Sequence, residues 1–203
     1  MKVLITGGSG TLGKEIANLV FKKKYVVNIL TRNKNLKSHN PRLKYFYWNP
    51  KKGVIDLDCF KDVDSVINLA GFPVFKLWTK ANKTKIFDSR VGATNFILDI
   101  ILKKKIKIKS FVNASAIAAY RDSSDFTSSE NDSINNPNSF INQVVVKWED
   151  EVKKFESKLP NISFSIMRIG LVLSQSGGLY KICKMLSKFF ILSPIGTGNQ
   201  WQS

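Results

Sequence analysis

The residues with the clearest chemical potential lie near the start of the chain, in the segment TGGSGTLG at positions 6–13. Its glycines follow a short β-branched run and precede apolar residues at helical spacing, the context in which such a motif is informative. One glycine permits a tight turn, one lets backbone approach a pyrophosphate, and one lets the helix pack on the strand. The helix N-terminus then offers free N–H groups to phosphates. The segment predicts a dinucleotide site at Gly7, Gly10, Thr11, Leu12 and Gly13.

The residues after the second predicted strand bear on which dinucleotide is bound. A site for NAD has an acidic residue about 20 positions beyond the motif, where it binds the ribose 2′-hydroxyl. Here no acidic residue occurs between Glu15 and Asp56, and the strand ends instead at Arg32. An arginine at this place can stack on adenine and pair with a 2′-phosphate. This pattern favours NADP(H) over NAD(H), and a merely solvated Arg32 in a basic chain is the alternative.

Apolar runs and helical spacing alternate along the chain. This alternation is typical of a parallel sheet covered on both faces. We therefore predict an α/β fold, a doubly wound parallel sheet of the Rossmann type, as a single domain over residues 1–203. The predicted strands are 2–6, 26–31, 45–48, 65–69, 109–115 and 163–169; the predicted helices begin near Leu12 and span 79–104 and 139–159; and 121–138 is a polar surface loop.

Composition excludes several classes of protein. No apolar run approaches the roughly 18 residues that a membrane span needs. His39 is the sole histidine, which excludes His-based triads and most zinc sites, so no metal is expected. Cys59 and Cys183 lie far apart, which favours reduced thiols and a cytoplasmic protein. The net charge of +17 suits nucleic acid or a membrane surface, but the lysines are spread along the chain, so we favour a solvated surface.

Several motifs occur together in a familiar order. They resemble the YfcH-like epimerase family of atypical extended short-chain dehydrogenases/reductases. The resemblance implies an NADP-type dinucleotide on Gly7, Gly10, Gly13 and Arg32, with Leu69, Ala70 and Gly71 bordering its adenosine side. The motifs that carry it are TGGSGTLG, LTRN, WNPKKGVID, VINLAGFPV, LWT, DSRVGAT, NASAIAAY, WEDEV, MRIGLVLSQSGG and GTGNQW.

The resemblance also shows where this chain departs from ordinary members of the superfamily. Those enzymes use a serine after the fifth strand and a Tyr-x-x-x-Lys pair on the following helix. Ser115 matches the serine, whereas Ile141 and Val145 occupy the places of the tyrosine and lysine. Tyr120 is the one tyrosine we nominate as a substitute proton donor. Its alternative is a packed aromatic residue, because an unactivated tyrosine with a pKa near 10 is a poor acid.

Three further differences concern the substrate pocket. Arg90 opens a run that many extended members write Asn-Val-x-Gly-Thr, and Phe72 replaces a glutamate of the subgroup. The relatives continue past the GTGNQW region, so we expect the substrate lobe to be truncated here.

Three functions remain open from the sequence. The first is an NADP(H)-dependent oxidoreductase or epimerase-like enzyme that acts on an unidentified small molecule through an atypical site. The second is a dinucleotide-binding protein with little or no turnover, and the third, which is unlikely, is an RNA-associated protein. Because the 139–159 helix is mostly charged outside its apolar stripe, we expect a monomer or a weak homodimer.

Overall fold

The β-branched and apolar runs of the sequence form one seven-stranded sheet in the computed structural model, which describes residues 1–120, 127–132, 139–174 and 177–191. The strand order is β4-β3-β2-β1-β5-β6-β7. All neighbours are parallel except β3 and β4, which are antiparallel. The strands are β1 Lys2–Thr6, β2 Val26–Thr31, β3 Leu43–Asn49, β4 Val54–Ile55, β5 Ser65–Asn68, β6 Ser110–Ala116 and β7 Ser163–Ile169.

Several helices begin at a capping side chain or at a glycine turn. Thr79 and Ser139 each accept a hydrogen bond from a backbone N–H three residues further on, which caps the helices that follow them. A π-helical turn, Asp88–Gly92, joins two helices into one long element. The helices are α1 Thr11–Lys22, α2 Lys80–Phe87, α3 Ala93–Lys103, α4 Phe140–Glu156 and α5 Gly178–Lys188.

Two apolar layers cover the two faces of the sheet. On one face α1 packs on the central strands through a small cluster whose buried members are Val3, Ile5, Ala17, Val27 and Ile29. On the other face α3 and the end of α4 pack on a larger cluster, which includes Leu4, Val66, Ile97, Leu98, Ile101, Phe111 and Phe155. The strands of a parallel sheet that is buried on both faces are nearly continuous apolar runs, and the strands of this chain show that pattern.

The strand order reverses at β1. The chain leaves β1 through α1 to pair with β2, and later returns to the other side of β1 as β5. Thr6 is in register with Leu30 of β2 and with Asn68 of β5, so the carboxyl ends of three strands meet at one edge. In open α/β sheets a crevice forms outside such a switch point. We therefore expect a ligand crevice at this edge, beside the segments that follow β1 and β5, and call it the cleft.

The predicted doubly wound α/β fold is confirmed, with differences in detail. The two-residue strand β4 was not predicted, because so short an antiparallel pair leaves no periodic pattern. The predicted 79–104 helix forms, but it contains the π-helical turn. Helix α5 was also missed, and none of its residues is buried. Most of the predicted 121–138 loop lies outside the described residues. Over the described ranges, no helix has the length and apolar character to cross a membrane.

The close packing of α1 on the glycine turn generates a testable prediction. Replacing Gly13 by alanine is expected to lower the free energy of unfolding by about 1–3 kcal/mol. The new methyl group would lie 2.3 Å from the Gly7 carbonyl oxygen and 2.7 Å from the Gly8 Cα, where only backbone can give way. Equilibrium unfolding in urea measures the change.

Gly92→Ala is the matched control, since Gly92 also lies in a helical segment. A Cβ there meets nothing within 4 Å. This variant is expected to be neutral or to gain about 0.5–1 kcal/mol from the lower entropy of its unfolded chain. Equal losses in the two variants would contradict the packing explanation.

Candidate functional site

The glycine turn after β1 forms one wall of the cleft. Gly7 has a φ of +67°, and a Cβ there would lie 2.6 Å from the Leu69 carbonyl oxygen. The Gly10 N–H donates to the Gly7 carbonyl at 2.9 Å and closes the turn. Gly10 then serves as the N-cap of α1, whose first turn holds Thr11 and no acidic residue. The first N–H groups of a helix have no intrahelical partner, so this end of α1 is suited to an anion.

The segment after β5 forms the facing wall. The N–H groups of Leu69 and Ala70 both donate to Thr6 Oγ1, each at 3.0 Å. These bonds draw the segment onto the end of β1, and Gly7 has no side chain to oppose that approach. The structure therefore brings the predicted residues Leu69, Ala70 and Gly71 together with the glycine turn.

A buried hydrogen-bond network lies behind these two walls. Thr6 Oγ1 donates to Asn68 Oδ1 at 2.6 Å. The Asn68 amide nitrogen in turn donates to Asn113 Oδ1 at 2.7 Å and to Thr94 Oγ1 at 2.8 Å. The Trp148 indole N–H donates to the same Thr94 oxygen at 2.8 Å. The network joins β1, β5, β6, α3 and α4, and the sequence analysis did not predict it.

Arg32 lies beyond the carboxyl end of β2, on the same edge of the sheet as the glycine turn. It is exposed and, among the described residues, makes no ion pair or hydrogen bond. Next to it is a depression lined in part by Asn33, Lys34 and Tyr47. The Lys34 ammonium lies 4.6 Å from the centre of the Tyr47 ring. The position of Arg32 therefore leaves its guanidinium free for a ligand.

Ser115 belongs to a second cluster, in which a buried carboxylate binds an arginine. Ser115 Oγ donates to Glu149 Oε1 at 2.6 Å. The Arg168 Nε and one terminal nitrogen each donate to a different Glu149 oxygen, both at 3.0 Å. Glu149 is 1% exposed and Ser115 4% exposed. The serine proton is thus directed at a carboxylate rather than into the cleft.

Electrostatics keep this pair ionised. Burial by itself raises the pKa of the Glu149 carboxyl, but the hydrogen bonds from Arg168 and Ser115 and the positive charge of Arg168 outweigh it. The net result is a pKa below the ordinary glutamate value. The hydrogen bond to Glu149 in turn raises the pKa of Arg168 above the ordinary arginine value. Glu149 is therefore a weak base at neutral pH and acts as a fixed hydrogen-bond acceptor.

Tyr120 lies in the same cluster. The Arg168 guanidinium carbon is 4.8 Å from the centre of the half-buried Tyr120 ring, a cation–π arrangement. The structure thus brings both nominated residues, Ser115 and Tyr120, to one arginine. Ile141 and Val145, the α4 residues that the resemblance sets at the positions of the tyrosine and lysine, add no titratable group, and Val145 is buried.

Part of this cluster was predicted from the sequence. Ser115 was identified, and Arg168 lies within the quoted motif MRIGLVLSQSGG, but their connection through Glu149 was missed. The feature that would have predicted this connection is the parallel register of β6 and β7, which sets Ser115 opposite Arg168. The register between two strands cannot be predicted from the sequence of either strand alone.

The buried ion pair generates a second prediction. Glu149→Gln is expected to lower the free energy of unfolding by about 3 kcal/mol, because it leaves Arg168 without its compensating charge. The control is Asp99→Asn, which breaks the exposed pair with Lys103 on α3 and should change stability by less than about 0.5 kcal/mol. Thermal or urea unfolding at pH 7 measures both variants.

The same pair has a defined pH dependence. Because the pKa of Glu149 is lowered on folding, its contribution is complete above the unfolded value of about 4.3 and is lost as the pH falls through the folded value. The stability difference between the parent and Glu149→Gln should therefore shrink below about pH 4. A difference that stays constant down to strongly acidic pH would contradict this assignment.

Comparison with known proteins places this geometry in context. Residues 3–189 match the model of the NAD dependent epimerase/dehydratase family. An epimerase family protein of Staphylococcus saprophyticus is 33% identical over 200 residues, covering 98% of this chain and 65% of the relative. The epimerase family protein YfhF of Bacillus subtilis is 32% identical over 203 residues, covering 100% of this chain and 65% of the relative.

A solved structure shares the fold. The crystal structure of the human epimerase family protein SDR39U1 (isoform2) with NADPH superposes with a TM-score of 0.78 at 22% identity, covering 100% of this chain and 64% of that one. The chain thus spans about two thirds of the length of these relatives. The resemblance to epimerase family proteins inferred from the motifs is confirmed. By its sequence and its sheet, the chain belongs to the NAD dependent epimerase/dehydratase family.

Proposed function

We propose that this protein binds NADP(H) in the cleft between the glycine turn and residues 69–71. We further propose that it is an oxidoreductase or epimerase-like enzyme whose active site lacks the Tyr-x-x-x-Lys pair. The observation that carries the proposal is the meeting of three features at one sheet edge. These features are the side-chain-free turn at Gly7 and Gly13, the uncapped N-terminus of α1, and the free guanidinium of Arg32.

The residues present fit a dinucleotide. The N-terminus of α1 offers N–H donors to the pyrophosphate, and the absence of an acid in its first turn avoids repulsion. Leu69, Ala70 and Gly71 would border the adenosine side. Arg32 would bind the 2′-phosphate, with no acidic side chain between Glu15 and Asp56 to oppose it. The human relative SDR39U1 was crystallised with NADPH, whereas the more distant neighbour MoeE5 was crystallised with NAD.

The chain's own groups define the chemistry open to a substrate. The nicotinamide ring supplies hydride transfer when the dinucleotide is bound. The Ser115 hydroxyl donates a hydrogen bond to Glu149, so its oxygen is left as an acceptor for a hydroxyl or N–H of the substrate. Tyr120, beside the fixed charge of Arg168, is the candidate proton donor or acceptor. Glu149 and Arg168 position these two residues.

A second candidate is a dinucleotide-binding protein with little turnover. It is favoured by one observation, the replacement of the usual tyrosine and lysine by Ile141 and Val145 on α4. An assay of NADPH oxidation with carbonyl and sugar-nucleotide substrates separates the two candidates. For either one, a monomer or weak homodimer in the cytoplasm remains our prediction, and for the enzyme the substrate is an unidentified small molecule.

Cofactor preference provides the direct test. NADPH is expected to bind more tightly than NADH, and Arg32→Ala should remove most of that preference, about 1–3 kcal/mol for a charge-assisted bond. Titration of the purified protein with each dinucleotide, followed by calorimetry or by ligand fluorescence, measures the two affinities.

Lys22→Ala is the charge-matched control for this titration. It removes the same unit of charge from an exposed side chain at the opposite end of α1, about 15 Å along the helix. It should leave the preference for NADPH intact. Equal affinity of the parent for NADPH and NADH would refute the assignment of Arg32.

Turnover depends on Ser115 in this proposal. Ser115→Ala should lower turnover by about one order of magnitude or more, as expected for the loss of a positioned polar group, while the affinity for NADPH stays nearly unchanged. Ser110→Ala is the control, because Ser110 lies on the same strand and also makes a side-chain hydrogen bond, to Ser65 at 2.7 Å. Full activity in Ser115→Ala would favour the protein with little turnover.

A further inference from the structure

Arg90 is a half-buried cation for which the described part of the chain provides no carboxylate. It lies in the π-helical turn Asp88–Gly92, and burial lowers its pKa to about 10, so it remains charged at neutral pH. Among the described residues, no acidic side chain forms an ion pair with it. Arg168 differs because its charge is met by Glu149. An arginine held in this way is costly unless a ligand uses it.

The contacts of Arg90 fix one of its nitrogens and leave an edge free. One terminal nitrogen donates to the carbonyl oxygens of Phe72 at 3.0 Å and Ile86 at 3.4 Å. The guanidinium carbon lies 5.6 Å from the centre of the Trp148 ring. The Nε and the second terminal nitrogen have no protein partner in the part of the chain that is described.

These two nitrogens are not sealed in the interior. Within the described residues, Asn28 Oδ1 is the one fully buried side-chain polar atom that lacks a hydrogen bond, so each free nitrogen of Arg90 has some access to solvent. The guanidinium group lies beside Gly71, where an added Cβ would come within 3.0 Å of the second terminal nitrogen, 3.1 Å of the central carbon and 3.3 Å of the first terminal nitrogen. Gly71 ends the segment that borders the proposed cofactor site, so the Arg90 guanidinium is next to that site.

The free edge has the geometry that binds carboxylates and phosphates. An arginine presents Nε and a terminal nitrogen side by side, which matches two oxygens of one anion. Arg168 shows this arrangement within the same protein, since its Nε and one terminal nitrogen each bind a different oxygen of Glu149 at 3.0 Å. Arg90 offers the same pair of donors, and no anion among the described residues binds them.

Two lysines lie near Phe72, whose carbonyl oxygen Arg90 binds. Phe72 brings no carboxylate at the position where the resemblance places a glutamate. The ammonium groups of Lys76 and Lys85 lie 5.3 Å and 5.6 Å from the centre of the Phe72 ring. Three cations thus surround the segment that follows Gly71, and together they favour an anionic ligand there.

We propose that Arg90 is a substrate-binding residue that takes a carboxylate or phosphate group through its Nε and second terminal nitrogen. The proposal rests on the proposed function, because it assigns this anion to the substrate rather than to the dinucleotide. It narrows the substrate class to anionic small molecules. It also gives the cleft a positive charge that α4, with Ile141 and Val145, does not supply.

The test follows the arginine Nε–H signals of the ¹⁵N-labelled protein by NMR. The chain has five arginines, and Arg90→Lys assigns the Arg90 signal by its loss. The probes are malonate for a carboxylate and inorganic phosphate for a phosphate, each added to protein saturated with NADPH. We expect a saturable shift of the Arg90 signal with at least one probe, and a shift of Arg32 but not of Arg90 with NADPH alone.

A second readout is the indole N–H signal of Trp148, assigned with Trp148→Phe. In the parent it should follow the bound probe, and in Arg90→Lys it should require about 10-fold more probe, because lysine lacks the two-pronged edge. Arg42→Lys is the matched control, since Arg42 also lies over an aromatic ring, 5.9 Å from Phe21. It should leave the titration unchanged.

The possible results are distinct. An Arg90 signal that neither probe moves, or one that moves only as much as that of Arg42, overturns the proposal. A shift of Arg90 with NADPH alone that prevents any response to the probes overturns it as well, because the anion is then that of the cofactor. If NADPH fails to move Arg32, the proposed cofactor function fails instead, and the probes added without NADPH still decide the role of Arg90.

Discussion

The Thr6 hydroxyl joins the two central strands at the point where the cleft opens. It donates to Asn68, which is buried, and accepts from the N–H groups of Leu69 and Ala70, which are partly buried. Breaking such a bond leaves an unsatisfied polar group, at a cost of about 1–3 kcal/mol, so the two strand ends are held in one arrangement. That arrangement carries the Leu69 carbonyl oxygen to the place where a side chain on Gly7 would lie. The spacing of the cleft walls follows from this contact.

The same network reaches the helices on one face of the sheet. Asn68 donates a hydrogen bond to Thr94 of α3, and Thr94 also accepts one from the indole N–H of Trp148 on α4. Trp148 and its neighbour Glu149 each contact an arginine, but only one of the two contacts neutralises the arginine charge. Glu149 neutralises Arg168, whereas Trp148 gives Arg90 only an aromatic ring. A carboxylate neutralises a guanidinium, whereas an aromatic ring and backbone carbonyls do so only in part. The charge of Arg168 is therefore met within the protein, and that of Arg90 is not met by any described carboxylate.

The agreement between sequence and fold depends on the kind of element. Strands β1, β2 and β7 were predicted to the residue, because their apolar runs are bounded by polar or turn residues. Strand β4 and helix α5 were missed, the first because two residues carry no period and the second because it buries no side chain. The long 79–104 helix was predicted, but the π-helical turn inside it was not, since the pattern of apolar residues does not encode a local change of hydrogen bonding.

The sequence by itself determined the doubly wound fold, the glycine turn after β1 and the position of Arg32, because these depend on local periodicity and on backbone freedom at single glycines. It left open which acid of the run Glu149, Asp150 and Glu151 serves the site. Tertiary structure decided that point, since docking of α4 buries Glu149 against Ser115 and Arg168, which lie 34 and 19 residues away in the chain. It also set Arg90 where none of the acidic side chains in the described residues forms an ion pair with it. Pairing over such separations depends on strand register and helix docking, which no short stretch of sequence specifies.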